Sequence, residues 1–457
     1  MKRPKISKTS VLMTAVAFTW GMAAGWANVF PGGLVKLVHS DISAFVKGDP
    51  SENLTLTQQL QNDFGGTPHR TIRQYRPVNP DAFNEVALGD RNERRHNPRL
   101  FMSEQAPAYY RLLVGAFDLT VSYWSAVLVS PDGQIVHTWA LNGELEELST
   151  HRDFNKIAYG VAVLPDGSVI VNKQERGGGL YRRSFCSDLV WTKPGKYHHS
   201  AELTEQADAF WTFGGNQSDV HPILVKVDAT TGETLQEIDM ADVDRANPGV
   251  SILHMTRRNA EPAGKATYHA THPNDIEPLP AALVDAFPMF EAGDLLLSYN
   301  VTNLVFVVDP DTLELKWWNF GAVDMGHDPD WQPDGTIIAF DNSTGAARRG
   351  IPEYLNIVSI NPLSNQTSAE VSGREHDFFS AFNGRQQVTD AGTVLITSST
   401  QGRFLEVDPV TGDVVFDFVN SYDWERGKTL HVSDAFAIEP ATAERWLKNG
   451  CRERVKY

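Results

Sequence analysis

Cysteine is nearly absent from this 457-residue chain, which contains only Cys186 and Cys451. The two lie far apart in the sequence and lack the short paired spacing of zinc and iron–sulfur sites, so a cysteine-ligated metal is excluded as the basis of function. Two states remain open for them. They either form a disulfide in an oxidising compartment or stay as two unpaired thiols.

An excess of basic residues is also lacking. The chain has 57 acidic and 40 basic side chains and a formal net charge of -17, which argues against nucleic acid or an anionic membrane surface as the main partner. It contains no glycine-rich loop of the kind that cradles phosphate and no Gly-x-Ser-x-Gly elbow. By contrast, 35 glycines, 25 prolines and 11 tryptophans favour many short strands and turns over helices.

Charge is missing from residues 9–35, directly after a start that carries Lys2, Arg3, Lys5 and Lys8. Residues 11–30 are close to the roughly 20 apolar residues that cross a bilayer. Residues 1–37 are therefore predicted to be a membrane-targeting helix, and a single-pass anchor is favoured over a cleaved signal peptide. The positive flank stays in the cytoplasm, so we expect the rest of the chain to be exported to the periplasmic face of the inner membrane.

Residues 38–104 are polar and lack sustained periodicity, which predicts a stalk or extended strap. Strand patterns fill residues 105–439, and residues 440–457 are predicted to be a short helix and tail with Gly450 as the cap.

A hairpin frame recurs through the strand region. Its clearest copy is residues 326–341, in which a Pro-Asp-Gly turn joins two strands and His327 opens the first. The residue eight positions before the turn glycine is His327 in this copy and Tyr159 and Gly384 in two others. Looser copies begin at His198-His199, His272 and His431. Four of six equivalent positions thus hold histidine.

A second hairpin with an Asp or Asn turn accompanies the first, and its turn residues Asp309, Asn361 and Asp408 recur about every 50 residues, the length of one propeller blade of four strands. The sequence therefore predicts an all-β fold, a six-bladed β-propeller. The first strand of each blade lines the central channel of such a fold, so the histidines at equivalent positions are expected to meet in one pocket. A single histidine of this kind would more simply cap a turn; four at one repeat position favour the pocket.

These motifs resemble the bacterial arylsulfotransferase family over about residues 105–437. The resemblance is carried by His198-His199-Ser200, by His272-Pro273-Asn274, by Gly326-His327-Asp328 with Asn342 after the next strand, and by the Asp-Pro-x-Thr turns. Members are exported six-bladed propellers that move a sulfuryl group from a phenolic sulfate ester to a phenol without a nucleotide sulfate donor. The resemblance implies these two small-molecule partners and no cofactor or metal.

The resemblance also implies roles for single residues. His327 would be the nucleophile that forms a sulfohistidine in a ping-pong reaction. His272 would hold sulfuryl oxygens or steer protons, and His199 would act as acid or base on the phenolic oxygen. The remaining substrate-binding residues would be Asn274, Asn300, Tyr159, Arg385 and His431.

Asn300 is a departure from the family pattern, because it stands where the family places an arginine. Losing a guanidinium removes a forked donor for sulfuryl oxygens. Arg385, or Arg348 and Arg349, would then have to supply the charge.

Two other classes of function stay open. His199, His272, His327 and His431 would be the ligands if the channel held a transition metal such as iron. Alternatively, the propeller is a non-catalytic periplasmic scaffold or ligand sensor.

Overall fold

The computed structural model describes residues 75–78, 85–88, 91–117, 124–141, 158–173, 178–215, 222–250, 253, 271–343, 356–380 and 382–451. The predicted membrane-targeting helix, residues 1–37, lies outside these ranges, as do Arg348 and Arg349. None of the helices within the described ranges is both long enough and apolar enough to span a bilayer.

Six antiparallel sheets form a propeller, which confirms the predicted fold. The innermost strands contact one another in turn and close a ring around the channel. Counted from the innermost strand outwards, blade 1 consists of Val432–Ile438, Tyr110–Ala116, Trp124–Val129 and Ile135–Ala140, and blade 2 of Ala158–Val163, Val169–Lys173, Gly179–Arg183 and Leu189–Pro194. Blade 3 consists of Tyr197–Leu203, Ala209–Gly214, Ile223–Asp228 and Thr234–Asp239, and blade 4 of Pro273–Pro278, Leu295–Tyr299, Leu304–Val308 and Leu315–Phe320. Blade 5 consists of His327–Trp331, Ile337–Asp341, Asn356–Asn361 and Gln366–Ser372, and blade 6 of Arg385–Val388, Val394–Ser398, Arg403–Val407 and Val414–Val419.

The two recurrent hairpins occupy fixed places in the blades. In blade 5 the Pro-Asp-Gly turn joins the first two strands, and Gly335 has a φ of 82°, a conformation that glycine adopts without steric cost. The Asp-type turn joins the third and fourth strands. In blade 3, Oδ1 of Asp228 accepts hydrogen bonds from the backbone N–H groups of Thr230 and Thr231, which fixes the turn.

Apolar side chains fill the layers between neighbouring blades. Between blades 3 and 4, for example, Phe213 and Leu224 pack with Leu297 and Phe306, and all four are fully buried. Because these layers supply the core, the starts of the inner strands are left for polar side chains that face the channel.

Blade 1 closes the ring with strands from both ends of the propeller sequence. Its innermost strand, Val432–Ile438, pairs with Tyr110–Ala116. The C-terminal helix, Pro440–Asn449, follows this strand and ends at Gly450. A disulfide between Cys186 and Cys451 then fastens the end of the helix to the turn before the outer strand of blade 2. Of the two states left open for the cysteines, the disulfide is the one found.

Part of the segment predicted to be a stalk is built into blade 6. Strand Arg99–Met102 pairs with Val414–Val419, and Arg76–Pro77 pairs with Arg99–Met102, so this blade has six strands. Leu100 and His96 are fully buried, and Nε2 of His96 is 2.7 Å from Oδ1 of Asn420. These strands were not predicted, because their sequences are rich in arginine and contain too few apolar residues to give a periodic pattern.

The smaller elements lie between or beside the blades. They are the strand pairs Glu85–Leu88 with Arg91–Arg95 and Ser421–Asp423 with Lys428–Thr429, the α-helices Met240–Ala246 and Gly373–His376, and the 3₁₀ helices Ala281–Ala286, Ser399–Gln401 and Trp424–Arg426.

Candidate active site

The inner strands are irregular near their starts. In blades 3, 4 and 5 the pairing register shifts there, and His199, His272 and Asp328 have φ values of 52°, 51° and 55°. Bulges re-aim side chains, and non-glycine residues in the left-handed region persist where the surrounding structure holds them. The bulges and left-handed residues of three blades thus lie at the same end of the channel, and such features are typical of functional sites.

A cavity lies at this end of the channel. Five of the residues expected from the sequence line it, and five others line it as well. The lining residues are Tyr159, His199, Asn274, His327 and Arg385, together with Asp275, Asp328, Asn383, Gly384 and Ser433.

The histidines of blades 3, 4 and 5 come together. Nε2 of His199 lies 2.9 Å from Nε2 of His272, so one proton is shared in a hydrogen bond between the two rings. The ring of His199 is also 6.4 Å from the ring of His327 and 5.3 Å from that of Tyr159, measured between centroids. Sequence positions spread over three blades therefore form one cluster, with His272 beside His199 rather than in the cavity wall.

Asn342 determines which nitrogen of His327 carries the proton. The Nδ2 group of Asn342 donates to the carbonyl oxygens of Ser380 and Asn383, each at 2.9 Å. Its Oδ1 therefore faces Nδ1 of His327, at 2.6 Å, and accepts a hydrogen bond from it. Since the proton sits on Nδ1, the lone pair is left on Nε2. This is the nitrogen that a nucleophilic imidazole uses.

Burial keeps these imidazoles neutral. It lowers the pKa of His327 to about 4, because the effect of burial, with a smaller lowering by Arg385, exceeds the opposing effect of the hydrogen bonds that Asn342 and the Met325 carbonyl accept. Burial, followed by the neighbouring His272, lowers the pKa of His199 well below its ordinary value. At neutral pH both rings are uncharged, the state in which a histidine attacks an electrophile.

One arginine supplies the positive charge of the site. Nη1 of Arg385 lies 2.5 Å from Oδ1 of Asp328 and 3.1 Å from Oε1 of Glu202, and its Nε is 3.3 Å from Oδ2 of Asp434. Burial acts to lower the pKa of Arg385, but these carboxylates outweigh it and raise the pKa above its ordinary value, so Arg385 stays charged. Arg385, one of the arginines considered as substitutes for the family residue, lines the cavity, whereas Arg348 and Arg349 lie outside the described residues.

Besides His272, two expected residues lie outside the cavity wall. Asn300 is buried and its Nδ2 donates to the Met325 carbonyl oxygen at 2.8 Å, so it braces the backbone before His327 instead of facing the cavity. The ring of His431 stacks on Phe382, with 5.9 Å between centroids. His431 shares the repeat position of His327 but not its orientation, whereas Asn300 lies directly after the second strand of blade 4.

The carboxyl groups of the site were not predicted from the sequence. Asp275 and Asp328 line the cavity, and Glu202 and Asp434 lie with them around Arg385. A signal was present, because an acidic residue follows each histidine position by one to three residues in blades 3, 4, 5 and 1. A repeat-by-repeat alignment of these positions would have placed the acids beside the histidines.

The histidines predicted as alternative metal ligands do not form an ion site within the described ranges. There, the group close enough to hold an ion consists of Glu202, Asp275 and Asp328, whose oxygen atoms lie within 4.8 Å of one another. The guanidinium of Arg385 already contacts two of these three. Arg385 is therefore the cation that pairs with Glu202 and Asp328.

The sequence model of a family described as Arylsulfotransferase (ASST) matches residues 160–421, a segment that contains His199, His272, His327 and Arg385. No curated protein matches the chain. Among solved structures, a protein of unknown function from Bacteroides caccae shares 13% identity with a TM-score of 0.48, over 73% of this chain and 99% of that one. For TolB from Acinetobacter baumannii the identity is 10% and the TM-score 0.43, over 73% and 68% of the two chains. For virginiamycin B lyase from Staphylococcus aureus they are 10% and 0.33, over 58% and 70%.

Proposed function

Because the chain belongs to the arylsulfotransferase family, we propose that it moves a sulfuryl group from a phenolic sulfate ester to a phenol through a sulfohistidine on His327. The observation that carries the proposal is the state of His327. This residue lines the cavity, is neutral, and is held by Asn342 with its Nε2 lone pair free of a proton. A fixed, neutral imidazole at the wall of a small cavity suits attack on sulfur.

In the first half of the reaction, the Nε2 lone pair of His327 bonds to sulfur. The bond between sulfur and the phenolic oxygen breaks, and its electron pair leaves with that oxygen, which takes up a proton. In the second half, the oxygen of the acceptor phenol attacks sulfur and gives up its proton. The electrons of the S–N bond then return to His327, and protons and charge balance over the cycle.

The sulfuryl oxygens carry negative charge throughout, and Arg385 is the charged donor in the cavity wall that can stabilise them. Asn274 also lines the cavity. Its Nδ2 donates to the Gly326 carbonyl oxygen at 3.0 Å, which leaves its second N–H for a sulfuryl oxygen. Tyr159 adds an aromatic ring beside His199, suited to contact a phenyl group.

The proposal predicts a covalent adduct in the absence of any acceptor. Protein incubated with an aryl sulfate donor alone should gain about 80 mass units on a histidine, and the adduct should be acid-labile and transferable to added phenol. Mass spectrometry of the intact protein and of its peptides checks this. Treatment with a chelator should leave the yield unchanged, since no step uses a metal.

The other outcomes point to the other classes of function. Loss of activity on chelation, with recovery on adding iron, would indicate a metal enzyme. Binding of an aryl sulfate without adduct or turnover would indicate a scaffold or sensor.

We also propose that the propeller is exported, held by an N-terminal anchor or released after cleavage. The basic start followed by an uncharged stretch supports export, and so does the disulfide between Cys186 and Cys451, because such bonds persist in oxidising compartments. An alkaline phosphatase reporter fused after Tyr457 should be active, and deletion of residues 1–37 should silence it. Activity of the truncated fusion would contradict export through this segment.

A further inference from the structure

We propose that Asp275 is the general acid of this reaction: its carboxyl group gives a proton to the phenolic oxygen as the S–O bond breaks and takes one back from the acceptor phenol. The inference rests on the proposed function, and it replaces the acid–base role that the sequence suggested for His199.

The departing phenolic oxygen needs a proton donor, and the histidines of the cavity are poor ones. His199 and His327 are neutral at pH 7 because burial lowers the pKa of each. A neutral imidazole that gives up its remaining proton becomes an imidazolate, which is far too basic to form here. A carboxyl group that is already protonated is the better donor, as in glycosidases that keep one acid neutral at the pH of catalysis.

Asp275 has the right position. It lies on the innermost strand of blade 4, is 1% exposed, and lines the same cavity as His327 and His199. The Ser200 hydroxyl donates to its Oδ1 at 2.9 Å and accepts a hydrogen bond from the Ile276 backbone N–H at 3.3 Å. These bonds fix one oxygen of the carboxyl group, so the other is left to carry the proton.

The balance of charge around Asp275 keeps that proton in place. Its oxygen atoms lie within 4.8 Å of those of Glu202 and Asp328. Arg385 forms ion pairs with both of those residues and with Asp434, whereas none joins it to Asp275 in the described part of the chain. One guanidinium therefore faces four carboxyl groups.

Two half-buried acids, Glu277 and Asp330, face the same cluster from blades 4 and 5. Burial first, and then Glu202 and Asp328, raises the pKa of Asp275 well above its ordinary value, against the opposing effects of Arg385 and Ser200. Of the two carboxyl groups in the cavity wall, Asp328 is paired with Arg385 and Asp275 is not, so Asp275 is the one that keeps its proton.

Two unsatisfied polar atoms in the cavity wall show where the phenolic oxygen would sit. Oδ1 of Asn274 and Oγ of Ser433 are buried, and neither has a hydrogen-bond partner within the described ranges. A buried polar atom without a partner is costly, so a bound hydroxyl group would be stabilised there. Asn274 is the neighbour of Asp275 in the sequence, which puts the expected place of the phenol next to the proposed acid.

The test compares two donors in single turnover, with adduct formation on His327 as the readout. Phenyl sulfate releases a basic phenolate that needs a proton, whereas para-nitrophenyl sulfate releases a stable anion that does not. In Asp275→Asn, the rate with phenyl sulfate should fall by about 10²–10⁴-fold, and the rate with para-nitrophenyl sulfate by less than about tenfold. A residue with a purely structural role would slow both donors equally.

Asp330→Asn is the matched control, because Asp330 is a half-buried acid of the same cluster with a raised pKa but lies outside the cavity wall. It should change both rates by the same factor. Equal losses with both donors in a folded Asp275→Asn protein would overturn the inference.

If Asp275→Asn does not fold, Asp275→Glu decides the matter. This variant keeps a carboxyl group that can carry the proton but shifts its position. The rate with phenyl sulfate should therefore fall by a larger factor than the rate with para-nitrophenyl sulfate. Equal factors would overturn the inference. Failure of the wild-type protein to form an adduct with either donor would contradict the proposed function itself. The two ideas therefore fail in different experiments.

Discussion

Replacing His327 with alanine should abolish both the sulfuryl adduct and transfer to phenol. We expect a loss on the order of 10⁶-fold in kcat, the size seen when a covalent nucleophile is removed. The physical reason is that the other cavity groups only bind or move protons, and none of them can form the intermediate in its place. The measurement is intact mass after incubation with donor, together with steady-state transfer to a fluorescent phenol.

The fold should tolerate this change, because the side chain of His327 lines the cavity. His137→Ala is the matched control. His137 is a partly buried histidine on the outer strand of blade 1, and its ring stacks on Phe185 at 3.7 Å. It should cost stability but leave adduct formation intact. Added imidazole should restore part of the transfer activity to His327→Gly, and an undiminished adduct on His327→Ala would refute the assignment.

The repeat pattern was enough to predict the architecture. Turns such as the one ending at Gly335 and the one beginning at Asp228 depend on local chemistry, and local chemistry is readable from sequence. Closure of the ring was not readable, because the pairing of Val432–Ile438 with Tyr110–Ala116 joins strands more than 300 residues apart. The two added strands of blade 6 were missed for a related reason: their partners are distant and their own apolar pattern is weak.

The histidine cluster was predictable because strands at equivalent places in a propeller converge on one axis. Tyr159, His199, Asn274, His327 and Arg385 all reach the cavity wall. The repeat position fixes where the backbone lies, but a bulge decides where each side chain points. His272 and His431 therefore lie outside the wall although they share the repeat position, and so does Asn300, which follows the second strand of blade 4. Asp275 and Asp328 were missed although they follow the histidine positions closely.

Replacing Arg385 with methionine should be the most destabilising single change at the site. The guanidinium is the shared partner of Glu202, Asp328 and Asp434, and its removal leaves buried carboxyl groups without a counter-charge. Breaking a buried ion pair from one side costs about 3–5 kcal/mol of unfolding free energy. Arg245→Met, which breaks an exposed pair with Asp242, should cost less than about 1 kcal/mol.

The loss in Arg385→Met should also depend on pH, and its sign follows from proton binding. In the wild-type protein, burial raises the pKa of Asp328 to about 6 although Arg385 opposes the shift. Without Arg385 this pKa rises further, so the folded state holds protons that the unfolded chain, with carboxyl groups at their ordinary values near 4, has already released. Acidification towards pH 5 therefore stabilises the folded variant, and alkalisation towards pH 8 destabilises it.

Urea unfolding at pH 5 and pH 8 should show a larger difference between Arg385→Met and wild type at the higher pH. The double variant Arg385→Met with Asp328→Asn should recover part of the stability at pH 8, because it lacks one of the buried carboxylates that Arg385→Met leaves without a counter-charge. Neither variant should regain transfer activity, since the sulfuryl oxygens still lack the guanidinium. A pH-independent loss would mean that Arg385 acts through packing and not through its charge, and the electrostatic account of the cavity would then be wrong.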